Sequence, residues 1–191
     1  MLSNQTLEFT LSMLDGEEKL IASAIGGDSS AFGLLYDYYQ PMIYRFVVLK
    51  VSRREEAEDI THQVFLNAWQ NVRRYEHRGH PFSSWLYRIA RNQIIDHYRA
   101  QKEEVSLEKL ALEDIAVLPQ VSAADPSAKL ETERVLRAVR KLKAEYQDVI
   151  ILRFIEDLSI KETASALKKT EGAVKLMQHR AMQELKKMME G

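Results

Sequence analysis

The chain has 191 residues, 46% of them hydrophobic and 29% charged, with a net charge of −1. That length suits one large domain or two small ones, the composition excludes a disordered chain, and the charge gives no global signal for nucleic acid. With no cysteine there are no disulfides or thiolate metal sites, and with no apolar run near ~20 residues no membrane span is predicted, so a cytoplasmic protein is expected.

Residues 1–17 carry little pattern and are read as an N-terminal tail without assigned function. A helix is expected from Glu17 to Ile25, stopped by Gly26-Gly27, with Asp28 or Ser29 capping the next. That next helix spaces Phe32, Leu35, Tyr36, Tyr39, Ile43, Phe46 and Val47 as core, with a kink expected at Pro41. Ser52 and Glu55 read as a capping box opening a third helix, whose buried stripe is Ile60, Val64, Phe65, Ala68 and Trp69. Asp59, Gln63 and Asn67 lie on an adjoining polar face that on physical grounds is simply solvated.

Gly79 and Pro81 break the pattern in a basic loop from Tyr75 to Pro81. Ser83 or Ser84 then caps a helix that turns Leu86, Ile89, Ala90, Ile94 and His97 inward. Arg88, Arg91, Asn92 and Arg99 are left for solvent or phosphate. Basic residues interleaved with Tyr75, Phe82, Trp85, Tyr87 and Tyr98 suit single-stranded nucleic acid, with Phe82 and Trp85 favoured as core anchors. Residues 102–126 are acidic, hold Pro119 and Pro126, and read as a linker with one transient helical turn around Leu107 to Leu112. Helices resume at Ser127, first with Val135, Val139 and Leu142 as the stripe, then with an apolar helix from Tyr146 to Ile155.

The stretch from Ser159 to Met189 carries the sharpest signal. Ser159 and Glu162 form a capping box, and Ile160, Ala164 and Leu167 fall on one stripe. Lys168, Lys169 and Thr170 interrupt it, Thr170 serving as the cap of a second helix with Val174, Met177, Ala181, Leu185 and Met188 buried. A short helix, a tight turn and a longer helix with a polar outer face form a helix-turn-helix pattern, which presents Glu171, Gly172, Lys175, Leu176 and His179 to a major groove. The plainer alternative is one more pair of helices in a bundle.

Charge is segregated along the chain: −5 over residues 1–40, +5 over 71–102, −4 over 101–126 and +3 over 159–191. Two basic segments around an acidic connector suggest two footprints on a polyanion. The expected fold is therefore all-α: two small helical domains, 18–101 and 127–191, joined by the linker 102–126, the second ending in the helix-turn-helix.

Glu55 to Gln101 resembles the second conserved region, and Glu145 to Met188 the fourth, of bacterial RNA polymerase sigma factors of the extracytoplasmic-function (ECF) group, in the sigma-70 family. The block WLYRIARN with Asp96 and Arg99, and EGAVK with His179-Arg180-Ala181, carry the resemblance. It implies a non-catalytic transcription initiation factor that needs no cofactor or metal. Its partners would be core RNA polymerase, through the clamp helices and flap, and promoter DNA, duplex and melted, with an anti-sigma factor as regulator. It would make no membrane contact of its own and be monomeric when free. Asp59, Gln63, Phe65 and Asn67 match the family's polymerase-binding surface. Tyr75, His77, Arg78, His80, Arg88, Arg91, Asn92 and Arg99 match its minus-ten surface, where a flipped base is captured. Thr170, Glu171, Gly172, Ala173, Lys175, Leu176, His179 and Arg180 match its minus-thirty-five reader.

Two departures stand out. The Tyr75-to-Phe82 loop is about one residue longer than in many members, leaving His77, Arg78 and His80 all candidates for the base contact. Ala173 and Leu176 replace residues that often carry hydroxyls, and Leu176 could touch a thymine methyl or pack against a partner. The rival readings are a helix-turn-helix regulator of a duplex operator, an enzyme built on His77, His80 or Asp96-His97, and a protein-interaction module. No third ligand or nucleophile accompanies those histidines.

Overall fold

The computed structural model describes residues 16–76, 79–104 and 126–190, and among these it contains helices and short connections but no strand. The rest of the expected tail, His77 and Arg78 of the basic loop, and residues 105–125 of the linker with its predicted turn lie outside the described residues. The first helix, α1, covers residues 16–25. Gly27 ends it at φ +98°, a left-handed conformation that glycine adopts without strain. Asp28 caps α2 (Ser29–Val48), its carboxylate accepting from the amides of Ser30 and Ala31 at 2.8 and 3.3 Å. Pro41 is exposed and α2 continues past it unbroken.

Helix α3 (Arg54–Asn71) begins one residue later than the expected capping box. Arg53 occupies the cap position, and Glu56, not Glu55, reaches back to its amide at 3.4 Å. An arginine carries no acceptor for a helix amide, so only the carboxylate half of the box forms. Burial opposes ionisation of Glu56, but the hydrogen bond and charge of Arg53 prevail and lower its pKa. A short 3₁₀ turn (Val72–Arg74) leads to the loop before α4 (Phe82–Glu104). Neither Ser83 nor Ser84 caps α4, because the helix already starts at Phe82. Ser84 is instead buried in the first turn and donates to the Glu162 carbonyl at 3.2 Å.

Helices α2, α3 and α4 pack on one another and form the N-terminal module. The C-terminal module comprises α5 (Pro126–Lys141), α6 (Ala144–Ile150) continuing as a π-helical turn through Ile155, α7 (Ile160–Leu167) and α8 (Glu171–Glu190). Its core is Val139, Leu142, Tyr146, Val149 to Leu152, Val174, Met177 and Ala181. Two expected core residues are exposed, Val135 at 40% and Met188 at 39%. Both sit where the outer ends of α5 and α8 meet, tied by Arg134 donating to the Met189 carbonyl at 2.8 Å. No third helix among the described residues covers that end, so the periodic stripe outruns the packing. The two modules touch directly, α7 lying against α4, and their apolar residues join in one contiguous cluster.

Candidate nucleic-acid and protein interfaces

The helix-turn-helix forms as its capping signals dictate. Ser159 Oγ accepts from the Glu162 amide at 3.2 Å while the Glu162 carboxylate accepts from the Ser159 amide at 2.6 Å. Lys168 then turns left-handed (φ 52°, ψ 46°) and closes α7, its amide donating to the Ala164 and Ser165 carbonyls. Thr170 Oγ1 accepts from the Ala173 amide at 3.2 Å and starts α8. Burial of Val174, Met177 and Ala181 rolls the opposite face outward. Glu171, Gly172, Lys175, Leu176, His179 and Arg180 are all exposed there, with Ala173 half-buried behind them. Arg153 fixes this helix by donating to Gln178 Oε1 at 3.2 Å and to the Leu158 carbonyl.

A second surface lies at the start of α4. Phe82, buried, packs edge-on to Tyr75 and tilted against Trp85 and Tyr39, at centroid distances of 5.1, 5.2 and 5.7 Å. Of these rings, Tyr75 and Trp85 wall a cleft of about 280 Å³ that is also lined by Arg74, Glu76, His80, Pro81, Arg88 and Ser165, with Phe82 behind them. Tyr75 donates to the His80 carbonyl at 3.3 Å, and burial followed by the charge of Glu17 pushes its phenol up to about 12. His80 Nδ1 is buried without a partner, an orphan polar atom at the cleft wall. Of the predicted minus-ten residues, the fold gathers Tyr75, His80 and Arg88 here. Arg91 and Arg99 line a different cleft of about 830 Å³ with Lys50, Tyr98 and Arg140. Asn92 is exposed. Tyr87 is no stacking platform: it is 2% exposed and donates to Glu156 at 2.9 Å, with burial and the nearby Glu156 charge raising its pKa. Arg74 escaped the sequence reading, although its place directly before Tyr75 in a basic segment was the available signal.

The third surface is the outer face of α3. Asp59 and Gln63 are exposed, and Asn67 is half-buried, its carbonyl and Oδ1 accepting from Asn71 at 2.8 and 3.2 Å. Phe65 is 4% exposed and packs edge-on to Tyr36 at 4.7 Å, so it belongs to the core. Leu66 is 41% exposed and lies three residues from Gln63 and seven from Asp59, on the same face. Leu66 has no assigned role in the sequence analysis, although an apolar residue off the buried stripe was the available signal.

Comparison with known proteins identifies the family of the chain. The Sigma-70 region 2 family matches residues 35–104 and the Sigma-70, region 4 family matches residues 132–185. The ECF RNA polymerase sigma factor SigW of Bacillus subtilis is 32% identical over 180 residues, covering 90% of this chain and 96% of that protein. This chain belongs to the ECF RNA polymerase sigma factor family. Another relative, the ECF sigma factor BldN of Streptomyces coelicolor, is 34% identical over 174 residues, and the aligned part spans 90% of this chain but 65% of that longer protein. The fold is shared with the sigma factor RpoE of Bartonella quintana, solved with the anti-sigma factor NepR (TM-score 0.66, 22% identity, 83% of this chain and 96% of that one). In this ECF sigma factor the basic cleft and the α3 face fall within the region 2 match, and the helix-turn-helix within the region 4 match. No helix among the described residues is long and apolar enough to cross a membrane.

Proposed function

We propose that this ECF sigma factor is a non-catalytic transcription initiation factor acting in the cytoplasm. It binds core RNA polymerase, reads a minus-thirty-five element as duplex and a minus-ten element as melted strand, and opens the promoter. The observation that carries the reading is the pairing of two separate basic surfaces in family order: an exposed, capped recognition helix, and an aromatic-walled cleft with an unpartnered His80 nitrogen. The helix suits duplex DNA, since Lys175, His179 and Arg180 can meet phosphates and base edges from one face. The cleft suits an unstacked base, because its rings offer stacking and Arg74 and Arg88 offer cations to the flanking phosphates.

Division of labour follows: a region 2 module over 18–101 for the polymerase and the minus-ten strand, and a region 4 module over 127–191 for the minus-thirty-five duplex. Asp59, Gln63 and Asn67, with Leu66 added, form the polymerase contact, and Phe65 supports it from beneath. An anti-sigma factor is proposed as regulator; the structurally similar RpoE was solved in complex with the anti-sigma factor NepR. Run-off transcription with core polymerase on a pool of promoter fragments tests the whole. New, discrete transcripts that depend on the protein are expected; neither transcripts nor a complex with the core enzyme would sink it.

A further inference from the structure

The two modules are joined by charge at a place that neither the recognition helix nor the base cleft explains. Glu156, at the end of the π-helical turn, has a side chain only 1% exposed. Both of its oxygens accept from Arg45 of α2, each at 2.7 Å, and one also accepts from the Tyr87 hydroxyl of α4 at 2.9 Å. Asp148 of α6, 3% exposed, is bracketed by two cations of the N-terminal module: Lys50, in direct contact, and Arg91, whose Nε donates at 2.8 Å. Arg140 adds a bond to the Val48 carbonyl at 3.3 Å. Every one of these links crosses from one module to the other.

We propose that Asp148 and Glu156 form an ionic latch that holds the free chain closed, their carboxylates taking the place of nucleic-acid phosphates on the N-terminal module until the chain opens to load. Three observations carry it. A two-oxygen anion held by a guanidinium fork, or by two cations at once, reproduces the way proteins hold phosphate. Arg91, three residues beyond the cleft's Arg88 on α4, lines the second basic cleft with Lys50, Arg99 and Arg140, and there it is spent on Asp148. The closed arrangement also sets α7 against the cleft: Ser165 forms part of its wall, and Glu171 shares a groove with His80 and Arg88.

That closure is incompatible with the proposed promoter geometry, on which this part of the inference rests. Elements centred about 25 base pairs apart lie roughly 85 Å apart along the duplex at 3.4 Å per pair. The chain between Glu104 and Pro126 has a covalent reach of up to roughly 70 Å, so separation of the modules is permitted. Opening returns five charged groups to water, and buried ion pairs often break even against their own desolvation, which makes the latch reversible.

The chain lacks cysteine, so Gln70→Cys on α3 and Gln183→Cys on α8, both exposed, can carry a donor and an acceptor dye. High transfer is expected in the otherwise wild-type chain. Asp148→Asn with Glu156→Gln should lower it, raising the open fraction by roughly ten-fold. Arg45→Glu should also open the chain, and combining it with Glu156→Arg should close it again. Unchanged transfer in a double variant of wild-type helicity would overturn the latch. Should that variant lose helicity, the charge-swap series decides, and a swap that behaves like Arg45→Glu alone refutes the latch. Association with core polymerase should also be faster for the opened variants, and equal rates would overturn the loading role. A chain that opens on mutation but never binds polymerase keeps the latch and refutes the initiation reading instead.

Discussion

Lys175→Ala isolates one predicted phosphate contact. Lys175 is exposed on the outer face of α8 and makes no ion pair among the described residues. Its removal therefore leaves no partner stranded, and the fold should not change. If Lys175 neutralises one phosphate of the upstream duplex, the slope of log affinity against log salt falls by about 0.9. Between about 50 and 200 mM salt the deficit relative to wild type then shrinks by roughly 3.5-fold. The assay is binding of the polymerase complex to a promoter fragment across that range, compared with a fragment whose upstream element is scrambled. Lys186→Ala is the control, because Lys186 pairs with Glu190 at 3.6 Å in the last turn of α8. Loss on Lys175→Ala with an unchanged salt slope would mean the side chain reads a base edge. No loss at all would remove the outer face of α8 from the DNA interface.

Asp59→Ala and Gln63→Ala should each weaken association with core polymerase while leaving the fold intact, since both side chains are exposed; undiminished co-purification of Asp59→Ala would remove α3 from that contact. Ser159→Ala should lower unfolding free energy by about 1 kcal/mol through loss of the cap on α7, and an unmoved urea midpoint would show that the box contributes nothing net. Alkaline titration gives a signed test. Burial raises the pKa of Tyr39, Tyr75 and Tyr87, Tyr75 to about 12, whereas unfolded phenols ionise near ~10. The folded state then binds those protons more tightly, so their contribution to stability is complete below pH ~10 and declines above it, that of Tyr75 being lost as pH rises through about 12. Phenolate absorbance that develops fully by pH ~10 with helicity intact would contradict it.

What the sequence made legible was what is local. The capping box at Ser159 and Glu162, the Thr170 cap and the Gly27 stop each involve residues within four positions, and each formed. Periodicity likewise located Ile43, Val64, Leu86 and Val174 in the core. It failed where a stripe continues past its neighbours, as at Val135 and Met188, because periodicity marks a face without saying how far another helix covers it. It failed at Tyr87 for a different reason. A tyrosine in a basic helix reads equally as a stacking platform or as a buried donor, and the acceptor that decides, Glu156, lies 69 residues away. The minus-ten residues divided for the same cause: Arg88 turns into the cleft, while Arg91 is drawn aside by Asp148, 57 residues on.

That long-range charge pairing bears on how two modules can be ordered together and still separate. An interface sealed only by aliphatic side chains would lose about 25 cal/mol for each Å² exposed on opening, with nothing in water to offset it. Between these modules, Arg45, Lys50 and Arg91 meet Glu156 and Asp148, and every one of those groups gains hydration when released. A polyanion or an acidic protein surface can also compete for the same cations, which no aliphatic seam permits. Under the latch proposal, the binding of nucleic acid and the opening of the chain therefore draw on one set of charges. Raising salt alone should then loosen closure and weaken DNA binding together, whereas Asp148→Asn with Glu156→Gln should loosen closure and strengthen DNA binding. The opposite signs separate a shared set of cations from two independent effects of ionic strength.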